Sequence, residues 1–312
     1  MTQQYSLTVI VDSSRVLDAW KWFRSEINER PVLAGRVCTY DQKRWGRGGA
    51  VQPLIPCEIH VRVLATLYLL SQLHRDFRPV FQLVTNGTAS DIAIRTPIIE
   101  TDIKRLISDA TRFRWALSEH LAFWVSLAVT SKMPGIGQHI RSLPNLFPED
   151  KGADGVSATI PLNSGVIDVI EYHSVKSSTG DPSDLVATAT FRNRGEASSS
   201  RRKLFDEFWC FVHENLGFSR LDELLDGICV RLQQPANDEI RSALLAQCRF
   251  NATIVANDVF ADARLFDGYQ FIVADSSRCV ATYIGSSNWV AFAEEVQSEV
   301  QRLLRAAGVW ST

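Results

Sequence analysis

Between Asp238 and Ser276 the hydrophobic pattern changes period, and that change constrains the fold more than any other stretch of the chain. Ile240, Leu244, Leu245 and Cys248 recur at the spacing of one helix face, behind an acid suited to a helix start. The next apolar run, Ala252-Thr253-Ile254-Val255, is rich in β-branched residues and ends on Asn257-Asp258. Tyr269 to Val273 is a second apolar run, bounded by Gly268 and Asp275. An acid that opens a helix and an acid that closes the next strand can meet over one edge of a sheet. In open α/β sheets that edge is where ligands bind.

The same alternation of elements recurs at the N-terminus. Leu7 to Val11 predicts a strand, Asp12-Ser13-Ser14 a turn and cap, and Val16 to Ile27 an amphipathic helix with Ala19, Trp20 and Phe23 inward. A Gly- and Arg-rich loop is expected over 31–56. Pro56 then opens an apolar helix reaching Leu73, and Pro79 to Val84 reads as a strand. Thr101 to Lys132 has the period of one long helix, which suits a bundle or an interface element. The turn-rich stretch 144–165 marks a boundary. Val166–Lys176 and Leu185–Asn193 read as two antiparallel strands joined by a polar loop. Trp289 to Ala307 is the last helix, capped by Ser286 or Ser287. The expected fold is α/β or α+β, its sheet built from the N- and C-terminal strand–helix units, with a helical and β-hairpin insertion. The main body is 1–143 with 204–312, and 144–203 is a hairpin and loop subdomain.

A chain of 312 residues with 46% apolar and 22% charged residues can bury an ordinary globular core. A net charge of −2 excludes a polycationic nucleic-acid coat, so nucleic-acid contacts would have to come from local patches. Two loops qualify. The first carries Arg36, Lys43, Arg44 and Arg47 against Asp41, with Trp45 available to stack on bases. The second, 192–203, includes Arg201, Arg202 and Lys203 and one acid, Glu196. Both would suit RNA or DNA phosphates, and both would also suit solvated loops or intersubunit salt links.

The six cysteines form no CxxC pair and no zinc spacing with histidine, which predicts buried, reduced thiols. No basic region followed by an apolar stretch opens the chain, and no segment reads as a membrane span. A soluble, cytoplasmic protein without a signal peptide is expected. No phosphate-binding glycine loop, HExxH or GxSxG is present. Gly285-Ser286-Ser287-Asn288 lacks the upstream histidine that a phosphodiesterase of the GSxN type would need. Glu119-His120 reads as an interior pair and Glu171 with His173 as a surface pair on one side of a strand.

With Asp12, Asp238 and Asp258 identified, VIVDSSRVL resembles the opening of a PIN-type nuclease domain. DEIRSALLAQCRFNATIVANDVF is similar to that family's later signature, in which an acid opens a helix and the next strand ends on a second acid. Glu58 in PLIPCEIHVRVL matches the family's acid at the start of an early helix. The resemblance implies that Asp12, Glu58, Asp238 and Asp258 bind Mg²⁺ or Mn²⁺. Asp12, Asp238 and Asp258 would be the catalytic acids of phosphodiester cleavage. The same residues also suit plain helix caps and a turn. The alternative class is a non-enzymatic structural protein, such as a viral or phage coat component or a subunit of a large complex. The generous aromatic load and the absence of a specific catalytic motif suit that reading. It predicts a homo-oligomer or larger assembly, associated with a virion if the coat reading holds. A nucleic-acid-binding accessory subunit is a third reading.

Overall fold

The computed structural model describes residues 13–32, 35–40, 55–73, 99–132, 135–142, 144, 154–162, 167, 169–183, 185, 210–211, 226, 239, 248–260, 265 and 279–306. They form five helices and seven strands: α1 (Ser13–Glu26), β1 (Ile27–Val32), β2 (Gly35–Tyr40), α2 (Ile55–Leu73), α3 (Ile99–Ser108), α4 (Ala110–Thr130), β3 (Ile136–Arg141), β4 (Gly155–Pro161), β5 (Val169–Ser177), β6 (Cys248–Asn257), β7 (Cys279–Ser286) and α5 (Trp289–Ala306). All seven strands belong to one mixed sheet of order β1-β2-β7-β6-β5-β4-β3. Strands β2, β7, β6 and β5 run parallel, while β1 and β4 run against them. The α/β or α+β expectation therefore holds; the strand expected at 7–11 lies outside the described residues, and the N-terminal strands seen, β1 and β2, follow α1.

One face of the sheet is packed by helices. Val175, Val255 and Ile284, on the carboxyl-terminal halves of β5, β6 and β7, share a single apolar cluster with side chains of all five helices. Tyr172, Phe250, Ala252, Ile254, Ala281 and Tyr283, on the opposite face, are equally buried. β6 is buried from Phe250 to Ala256, with apolar side chains on one face throughout and Asn251 and Thr253 on the other.

Local chemistry differs from the expected elements in four places. The long helix is two: Asp109 leaves helical geometry (φ −108°, ψ 110°) and its carboxylate caps α4, accepting from the amides of Thr111 and Arg112 at 2.9 and 3.0 Å. The loop expected over 31–56 begins inside the β1–β2 hairpin, which spans Ile27–Tyr40. The turn-rich boundary contains β4, whose Val156, Ala158 and Ile160 are buried at a period of two. Strand β5 takes β4 on one edge and β6 on the other over Ile170–His173, so its neighbours there are not the segment that follows it. Residues 186–193, 7–11, 79–84 and 269–273, all expected as strands, lie outside the described residues.

The N-cap of the last helix falls one residue beyond the expected Ser286 or Ser287. Asn288 is the cap, accepting from the Ala291 amide through Oδ1 (3.1 Å) and from the Phe292 amide through its carbonyl (3.0 Å). Among the described residues, no helix is long and apolar enough to cross a membrane.

Candidate functional site

Of the four carboxylates expected to share a metal, only the Asp258 side chain falls among the described residues. Asp12 and Asp238 lie outside them, and Glu58 is placed only as a position in the first turn of α2. Asp258 follows the last residue of β6, at the carboxyl edge of the parallel strands, as expected for a strand-ending acid. It lies hard against Gly285 of β7: a Cβ there would come within 3.0 Å of Asp258 Cβ and 3.1 Å of its Cα. Asn257 ties the edge together, its Oδ1 accepting from the Trp289 amide (2.8 Å) and its carbonyl from the Tyr283 hydroxyl. Burial first, and then the charges of Asp258 and Asp181, raise the Tyr283 phenol well above its usual range. Arg36 is placed as a β2 position opposite Thr282. Lys43, Arg44, Trp45, Arg47, Arg201, Arg202 and Lys203 lie outside the described residues.

A denser grouping of ionisable side chains lies elsewhere, between α4 and the amino-terminal halves of β4, β5 and β6. The alternation of those strands sets polar residues on the helix-facing side: Ser157 and Thr159 on β4, Glu171 and His173 on β5, Asn251 and Thr253 on β6, Thr282 on β7. Asn251 links three strands. Its Nδ2 donates to Glu171 Oε1 at 2.7 Å, and its Oδ1 accepts from the Thr282 hydroxyl at 3.2 Å. Ser157 Oγ lies 2.9 Å from His173 Nε2, and His173 Nδ1 stands 3.7 Å from Glu171 Oε1. His173 is therefore buried rather than a surface residue, while Glu171 keeps 20% of its side chain in solvent.

Arg141 closes the cluster from β3. Its guanidinium is 1% exposed, donates from Nη1 to the Ala122 carbonyl of α4 at 2.8 Å, and lies 5.6 Å from the Phe123 ring centroid. Burial lowers its pKa to about 10, opposed by the carboxylates of Glu171, Asp154 and Glu119. Three acids from three elements thus act on one buried cation: Glu119 from α4, Asp154 from the bend before β4, and Glu171 from β5. Asp154 is itself held by the Val175 amide at 2.6 Å and faces Lys176 at 3.8 Å. Burial above all, with added positive charge from Arg141 and His139, pushes His173 well below the usual histidine range and keeps it neutral.

This cluster is remote from the carboxyl edge. Asn257 is six strand residues beyond Asn251, about 20 Å at the rise of a β-strand. The acids of the cluster have the oxygen chemistry that Mg²⁺ and Mn²⁺ favour. Among the described residues, however, no three acids, histidines or cysteines are disposed to hold a metal ion.

The sequence reading had Glu119, Glu171 and His173 in view but gave them structural roles, and it missed Arg141, Asp154, Ser157, Asn251 and Thr282. A signal for part of the set was present: Glu171-x-His173 and Asn251-x-Thr253 put polar residues at alternate positions of otherwise apolar strands. No signal marked Arg141, because β3 and β4 were not legible as strands. Comparison with known proteins adds no relative: no family model, curated protein or solved structure matches this chain.

Proposed function

We propose that the chain is a nuclease-like phosphodiesterase whose reacting centre is the Arg141 cluster under α4. The observation that carries this reading is the largely buried polar set of Ser157, His173, Glu171 and Asn251, with the buried Arg141 directly across the ladder from Ser157. Strongly shifted ionisable groups held by specific charge partners favour functional sites. His173, bonded through Nε2 to Ser157 and faced at Nδ1 by Glu171, is held neutral by burial and lines that carboxylate from the interior. Glu171, at the solvent side of the cluster, is the acid that a substrate would meet first.

The test is cleavage of labelled single- and double-stranded RNA and DNA in Mg²⁺ or Mn²⁺. Glu171→Gln is expected to lower the rate by about 100-fold or more while the chain still melts cooperatively. Asp258→Asn distinguishes the two locations: full activity keeps the chemistry at the cluster, and a comparable loss moves it to the carboxyl edge. No cleavage of any substrate by the unaltered chain sinks the enzymatic reading. A discrete high-mass species in solution would then favour a structural protein of a larger assembly.

A further inference from the structure

Helix α4 is buried from Ala116 to Thr130, apart from Ser126, but its first residues reach solvent. Trp115 stands at the boundary. It is 44% exposed, and no aromatic ring packs against it among the described residues. Tryptophan ordinarily buries most of its ring, because few side chains carry as much apolar surface. The other exposed large hydrophobics, Leu162 and Val259, come from other elements, following β4 and β6. On the helix surface the neighbours of Trp115 are Thr111 and Arg112, four and three residues before it, with Arg114 alongside.

Positive charge collects around this ring. From 104 to 115 the chain carries Lys104, Arg105, Arg112 and Arg114 against a single acid, Asp109, although its net charge is −2. That acid is engaged already. Oδ1 of Asp109 accepts from the Thr111 and Arg112 amides at 2.9 and 3.0 Å, and Oδ2 lies 3.8 Å from Arg112 Nε. Arg105, exposed in the last turn of α3, and Arg114, partly exposed on α4, make no ion pair among the described residues. The positions three and four residues from Arg114 are Ala110, Thr111, Leu117 and Ser118, so α4 offers it no acid.

We propose that Trp115, with Arg105, Arg112 and Arg114, forms a binding face for single-stranded nucleic acid. The ring stacks on one unpaired base, and the guanidinium groups meet the adjoining phosphates. The partner is a polyanion because the cations outnumber the acid and two of them are uncompensated. It is single-stranded because a duplex hides the base faces that an aromatic ring would stack on. An acidic protein fits less well: the core of a protein interface is depleted in charge, whereas this ring is bordered on its helix by cations and a hydroxyl. Trp115 precedes Ala122, whose carbonyl holds Arg141, by about 10 Å along α4. That a bound strand is also cleaved rests on the reading above, but its binding does not.

The experiment is equilibrium binding of a labelled oligothymidylate to the full chain, by fluorescence anisotropy in EDTA over a series of salt concentrations. Trp115→Ala is expected to weaken binding about tenfold or more with an unchanged melting temperature, and Trp115→Phe to restore most of it. Arg114→Gln should lower the slope of log affinity against log salt by about 0.7, the share of one phosphate contact on a single strand. Any affinity for a duplex should be indifferent to Trp115→Ala. No binding by the unaltered chain, or an affinity that Trp115→Ala leaves unchanged, overturns the proposal. Polyglutamate that displaces the strand as well as unlabelled oligothymidylate at equal charge overturns it too, and assigns the face to an acidic protein. Trp115-dependent binding without cleavage in Mg²⁺ or Mn²⁺ refutes the enzymatic reading alone. Cleavage and binding that both ignore Trp115→Ala refute the face alone.

Discussion

Ser157 Oγ lies 2.9 Å from Nε2 of His173, on the neighbouring antiparallel strand, with both residues 1% exposed. A buried hydroxyl and a buried imidazole on facing strands satisfy each other and leave Nδ1 toward Glu171. This contact belongs to a set of buried polar groups whose disruption has measurable consequences.

Three buried histidines should make stability fall in mild acid. Burial lowers His60 and His173 far below the usual range and His120 to about 3, so the folded chain excludes protons that the unfolded chain binds below about pH 6.5. The sign follows from the depressed folded values. The stabilisation is fully present above pH 6.5 and declines as pH falls toward each folded value. Each histidine contributes up to about 1.4 kcal/mol per pH unit in that window. Urea denaturation at pH 7.5 and pH 5 measures the slope, and His120→Gln should reduce it.

Arg141→Leu should be severe. It leaves Glu119 buried and Asp154 and Glu171 mutually repelling, a loss of about 3–5 kcal/mol for breaking a buried ionic set. Glu119→Gln in the same chain should recover part of the loss, because it removes one of the buried negative charges that Arg141 offsets. Chemical denaturation of both variants checks the order.

Asn251→Leu removes the link between β5, β6 and β7. The Thr282 hydroxyl loses its acceptor and Glu171 loses a donor, at an expected cost of about 1–3 kcal/mol. A loss well under 1 kcal/mol would mean that water satisfies both groups.

Gly285→Ala sets a Cβ within 3.0–3.1 Å of Asp258 Cβ and Cα, where the neighbour includes backbone that cannot rotate away. Destabilisation of about 1–3 kcal/mol is expected from this overpacking. A neutral result would mean that the turn after β6 shifts freely, which a change in the Tyr283 phenol titration would report.

Asp109→Ala tests the break between α3 and α4. Two α4 amides lose their acceptor, which should lower stability by about 0.5–2 kcal/mol, and Asp109→Asn should restore most of it.

Elements with strong periodicity were readable from the chain alone. Helices α1, α2 and α5 and the apolar stretch of β6 lie where their spacing predicts, because amphipathic period and β-branching act locally. The strand-ending position of Asp258 follows from the same local signal. Strands β3 and β4 were hidden because short segments bracketed by Gly, Pro and Ser look like turns until neighbours supply their ladder. The break at Asp109 was hidden because an apolar stripe runs unbroken through it, while the cap depends on a side-chain hydrogen bond.

The chemistry divides along the same line. The sequence by itself determined which residue types exist and which alternate: Glu171 with His173, Asn251 with Thr253, and an acid after β6. Only the tertiary structure decided that Glu119, Asp154 and Glu171 come within electrostatic range of Arg141, since they come from α4, the bend before β4, and β5. It also decided that Asp258 stands about 20 Å along the sheet from that cluster. Strand order and helix placement are properties of long-range packing, and no local period encodes which strands become neighbours.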